Sequence, residues 1–129
     1  MGASRFPNGI SFVKPGVAAP TFTAGDTTPD VSNGSYFHTD DSLVTIANFD
    51  GGERGKFITV ISGSGGSTTI QNSAGGINIT SLVYSVSAGL LTPSVNTGNA
   101  VMLNNEALTF YHNGTDWHAT STRVVDANA

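Results

Sequence analysis

The apolar positions of this chain follow two different patterns. From Ser35 onward they fall in short runs rich in β-branched and aromatic residues, separated by Gly and Asn. Such runs predict strands over residues 35–38, 43–46, 56–62, 68–70, 77–80, 100–103, 107–111 and 117–119, the strongest being KFITVIS at 56–62. Turns are expected at Asp50-Gly51-Gly52-Glu53, at Gly63-Ser64-Gly65-Gly66, at Gly75-Gly76 and at His112-Asn113-Gly114-Thr115. Asn-Gly between two apolar runs is a hairpin signal, so 107–111 and 117–119 should pair. Alternation along 106–111 would place Leu108 and Phe110 on one face and Ala107, Thr109 and Tyr111 on the other. No stretch has the period of an amphipathic helix. Between residues 81 and 99 Ser and Gly interrupt any clean period, and that stretch reads as a loop or insertion with partial strand character.

Residues 1–34 differ. They hold four of the five prolines, Pro7, Pro15, Pro20 and Pro29, which exclude a helix or a central strand. Their apolar residues nevertheless make them too greasy for a solvated linker. The expectation is an extended arm whose apolar side chains (Phe6, Pro7, Ile10, Phe12, Val13, Val17 and Phe22) are covered by another molecule, the alternative being an arm that folds back over its own domain or stays disordered. At about 3.3 Å per residue, such an arm reaches on the order of 110 Å. The predicted organisation is therefore an arm over 1–34 and a β-domain over 35–129. The domain is expected to be all-β, a small antiparallel β-sandwich or barrel, with a core of Ile46, Phe49, Phe57, Ile58, Val60, Leu108, Phe110 and Trp117.

Composition narrows the use of such a fold. Charged residues make up only 11% of the 129, less than half of what a typical soluble domain carries. That suits a protein packed in an assembly better than a freely diffusing enzyme. The net charge is −4, and the five basic residues are scattered, which argues against direct nucleic-acid binding. No cysteine is present, so disulfides and thiolate metal sites are excluded. The opening MGASRFPNGI has no apolar secretory core, and no run of about 18 apolar residues offers a membrane-spanning helix.

Chemical constellations are few. His112 and His118 flank the Asn-Gly turn and, with Asp116 or Asp40, would be the only plausible start of a metal site, but turn-flanking surface histidines account for them as well. Asp40 and Asp41 are adjacent and would point apart on an extended chain. The serines form no Gly-x-Ser-x-Gly elbow, and Gly63-Ser64-Gly65-Gly66-Ser67 lacks the lysine and helix of a phosphate loop. Trp117 is expected to pack in the core rather than to stack on a ligand. No catalytic, cofactor or metal residue is assigned.

The order of the motifs is informative. Ile46-Ala47-Asn48-Phe49-Asp50-Gly51-Gly52 leads to Gly55 and the strand at 56–62. Next come Ser67-Thr68-Thr69-Ile70-Gln71-Asn72 and Ile77-Asn78-Ile79. The run from Glu106 to Tyr111 then leads through His112-Asn113-Gly114-Thr115-Asp116 to Trp117. Over residues 43–118 this order resembles the small β-domains of bacteriophage virion appendages: tail fibres, tailspikes, head fibres and capsid decorations. Ser4-Arg5-Phe6-Pro7-Asn8-Gly9 also resembles the start of small phage structural proteins. The stretch 81–99 is longer than that pattern. The resemblance implies a non-enzymatic virion protein that associates as a homotrimer. The expected role is a capsid decoration, or cement, protein that binds the major capsid protein through its arm. The alternative is a tail or head fibre subunit whose loops at 63–66 and 81–99 contact a host surface receptor.

Overall fold

The structure is a computed structural model and describes residues 19–40, 43–63, 68–79, 83–93, 98–120 and 123–126. Among these residues there is no helix, and the fold is all-β. Among the described residues eleven strands form three sheets. The largest has five strands in the order β1 (Tyr36–His38), β3 (Phe57–Ile61), β9 (Ala107–His112), β10 (Trp117–Ala119) and β5 (Ile77–Asn78). A second joins β2 (Val44–Ile46), β4 (Thr68–Ile70) and β8 (Ala100–Val101). The third joins β11 (Arg123–Asp126), β6 (Val83–Ser87) and β7 (Leu90–Pro93).

The first two sheets share one core. Strand alternation turns Phe37, Ile58, Val60, Leu108, Phe110 and Trp117 inward from the five-stranded sheet. Val44, Ile46, Ile70 and Ala100 come from the three-stranded sheet, and all belong to a single buried cluster. Phe49 sits among them, its ring 5.2 Å from Phe110 and 5.7 Å from Trp117. The predicted hairpin is present, with Trp117 opposite His112 and Ala119 opposite Phe110.

Several expectations change. Phe57, expected in the core, is 54% exposed. Ile58 and Val60 face inward, so pleating sends Phe57 to the opposite side. The pairing is mixed rather than antiparallel throughout: β1 with β3, β5 with β10, β2 with β4, and β6 with β11 are all parallel. The stretch 81–99 contains the β6–β7 hairpin. Its turn residues Ala88 and Gly89 both have positive φ, 52° and 77°, the conformation that a two-residue hairpin loop of right-handed twist requires.

The boundary at residue 34 also moves. Phe22, assigned to the arm's contact with another molecule, is buried in the chain's own core, its ring stacked 5.2 Å from Phe37 and 6.2 Å from Phe49. Val31 is fully buried. Pro20 and Pro29 lack an N–H, but their carbonyls accept hydrogen bonds from the backbone N–H of His38 (2.8 Å) and Asp50 (3.0 Å). Each proline precedes the residue of a single parallel bridge, Thr21 with His38 and Asp30 with Asp50, so it costs no ladder donor. The folded unit therefore includes the segment from about Pro20. The remaining predicted arm residues, Phe6, Pro7, Ile10, Phe12, Val13 and Val17, lie outside the described residues.

Candidate assembly surfaces

The outer face of the five-stranded sheet is built from the alternate positions that the core does not use. Phe57 and Tyr111 stand in register on β3 and β9, ring centroids 4.9 Å apart. Beside them the Thr59 and Thr109 hydroxyls, also in register, are hydrogen-bonded at 3.0 Å. On β1, Tyr36 and His38 make an edge-on ring contact. None of the five strands contains Asp, Glu, Lys or Arg.

The three-stranded sheet repeats this arrangement. Its strands are also free of charged residues, and its outer side carries exposed apolar groups. Thr68 is flanked by Val44 on one side and by Met102 on the other, whose N–H donates to the Thr68 carbonyl at 2.8 Å. Val44 and Met102 are buried, so the next residue of each segment points outward at the same end of the sheet. Those residues are Leu43, 81% exposed, and Leu103, 68% exposed. Val101, in register with Thr69, continues the patch. The strand runs at 43–46 and 100–103 were legible in the sequence. Which side of them faced water was not, because apolar residues occupy both sides.

Among the described residues the charged groups next to these two sheets lie beyond the ends of the strands. Arg54 and Lys56 precede β3, while Asp40 follows β1 and Glu106 precedes β9. β3 and β9 are antiparallel, with Phe57 opposite Tyr111 and Ile61 opposite Ala107. The two basic residues and Glu106 therefore lie at opposite ends. The Glu106 carboxylate accepts the Leu103 N–H at 2.8 Å, which fixes a negative group against the Leu43–Leu103 patch.

The histidines do not converge. Register places Trp117 opposite His112 and Tyr111 opposite His118, which sends the two imidazoles to opposite faces. His112 is buried, its ring 4.9 Å from that of Trp117, and its Nδ1 accepts the Gly114 N–H at 3.1 Å. His118 is partly exposed, with Nε2 3.0 Å from the Asp116 carboxylate and 2.9 Å from the Asn113 amide nitrogen. Asp40 lies at the far end, beside Thr39 and Ser62. Among the described residues no group of three His, Cys, Asp or Glu side chains is placed to hold a metal ion. Trp117 packs in the core, and its Nε1–H donates to the Phe49 carbonyl at 3.0 Å.

This contact brings two of the sequence motifs together. The Asn48–Gly52 stretch and the turn leading to Trp117 meet where Gly52 lies beneath the His112 and Trp117 rings. A Cβ on Gly52 would stand 2.5 Å from the His112 ring and 3.1 Å from that of Trp117. The chain matches no protein-family model, no curated protein and no solved structure.

Proposed function

We propose that this chain is a structural protein of a bacteriophage particle: a decoration protein that lays its N-terminal leader on the major capsid protein and stabilises the shell. The observation that carries this reading is the absence of formal charge from all eight strands of the two facing sheets. Proteins that stay single in solution usually guard β-faces and edges with Lys, Glu or Asp. A sandwich that leaves Phe57, Leu43, Val101 and Leu103 exposed on uncharged sheets is suited to being covered. The phage setting is drawn from the motif order over residues 43–118, and association as homotrimers follows from the same resemblance.

In this reading the protein acts by burying surface. At about 25 cal/mol per Å², and with an aromatic burying about 150–250 Å², the leader's Phe6 and Phe12 contribute several kcal/mol before ordering costs. The test is co-sedimentation of purified protein with phage particles stripped of it. The full chain should pellet with the particles, and a variant with Phe6, Ile10, Phe12 and Val13 all changed to Ser should stay in the supernatant. Equal pelleting of the two would contradict the leader's role. Attachment to host cells instead of particles would assign the chain to a fibre.

A further inference from the structure

We infer that the Leu43–Val101–Leu103 patch is a docking site for residues 10–17 of a second copy of this chain. The inference rests on the reading above, in which the leader works against another molecule, and it adds that part of the leader is held by a neighbouring subunit.

Charge supports this pairing. The first 18 residues contain Arg5 and Lys14 and no acidic residue, a formal +2. The rest of the chain holds three basic residues against nine acidic ones, or −6. The patch is edged by negative groups, with the Glu106 carboxylate bonded to the Leu103 backbone, Asp40 just beyond β1, and Asp41 shortly before Leu43 in the sequence. Arg54 and Lys56 stand at the other end, where Asp30, Glu53 and Asp116 accompany them. A segment carrying Ile10, Phe12, Val13 and Val17 around Lys14 matches the patch in both polarity and charge.

Direction favours a neighbour over the chain's own leader. Residues 20–22 run parallel to β1: the Phe22 N–H donates to the His38 carbonyl, and the His38 N–H donates to that of Pro20. Traced back toward its start, the chain therefore heads from the His38 end of β1 toward the Tyr36 end. The patch lies beyond His38: Thr39 is bonded through its hydroxyl to Thr68, the residue flanked by Val44 and Met102. From Phe22 back to Ala19 the chain thus runs away from its own patch. Eighteen extended residues span about 60 Å, enough to reach an adjacent subunit and leave Arg5-Phe6-Pro7 for the shell.

The chain has no cysteine, which makes the test direct. F12C and L103C are made in separate full-length proteins, mixed and mildly oxidised. T115C, on an exposed turn at the opposite end, replaces L103C as the control. The inference expects F12C–L103C heterodimers well above the F12C–T115C background. Adding L43D to the L103C protein should cut the yield about tenfold, the effect of setting a carboxylate in an apolar contact. Raising the salt should lower it as well. Heterodimer at the control level would overturn the inference, as would a disulfide formed only within single chains of an F12C/L103C double variant. Co-sedimentation of the unmodified full chain with particles, set beside the cross-linking of the F12C and L103C proteins, separates the two claims. Particle binding without cross-linking leaves the proposed function standing and this inference overturned, and cross-linking without particle binding does the reverse.

Discussion

At the scale of single residues, the most constrained point is Gly52. Its missing side chain lets the buried His112 and Trp117 rings close over the turn. Gly52→Ala should lower stability by about 1–3 kcal/mol, the usual cost of overpacking, as read from chemical denaturation midpoints. Trp117 is constrained by a polar contact as well as by its size. Trp117→Phe keeps an aromatic ring but leaves the buried Phe49 carbonyl without the indole N–H, at a cost of about 1–3 kcal/mol. Asp30 is a surface example. Its carboxylate accepts the Ser32 N–H at 2.8 Å and a bond from the Ser32 side chain, and these hold its pKa below the ordinary 3.8. A carboxylate with a depressed folded pKa stabilises the fold at pH above its unfolded value. That contribution is lost as the pH falls through the folded one. Asp30→Asn keeps the acceptor and removes the charge, so stability measured from pH 7 downward should fall less steeply than in the parent near pH 3.8 and below.

At the scale of elements, alternation governs what each strand contributes. Ile58 and Phe57 are neighbours on β3, yet Ile58 is buried and Phe57 faces out. Ile58→Ala should cost about 2–5 kcal/mol. Phe57→Ser should cost about 1 kcal/mol or less, through the lost ring contact with Tyr111. Thermal melts of the two variants would check the contrast. Most strands were legible in the sequence, because runs such as 56–62 and 107–111 carry their own β-signature and are bounded by Gly or Asn. The shared inward face of Leu108 and Phe110 followed from alternation, but the third inward position of β9, His112, was read as part of the turn. Phe57 was misplaced because adjacent apolar residues leave the choice of face to the partner sheet. The β6–β7 hairpin was missed because its turn uses Ala88 at positive φ, where Asn or Gly would have announced it. Strand β11 pairs in parallel with β6, and a pairing so distant in sequence leaves no local signal.

At the scale of the whole molecule, composition foreshadowed the surface better than any motif did. Among the described residues no charged side chain stands on a strand of the two facing sheets, which leaves those faces neutral. The Leu43–Leu103 patch was not legible, since it depends on segments far apart in sequence meeting at Thr68. The division at residue 34 failed for a related reason. Prolines at 20 and 29 looked like the mark of an arm, but their carbonyls serve single bridges to the sandwich. The most direct measurement of the central claim, that this protein works covered by its neighbours in a virion, is electron cryo-microscopy of intact particles from the lysate in which it is made. The account predicts density for the β-sandwich on the shell, with the leader continuing across a subunit seam. Particles without such density, alongside a free monomer whose leader packs on its own sheets, would contradict it.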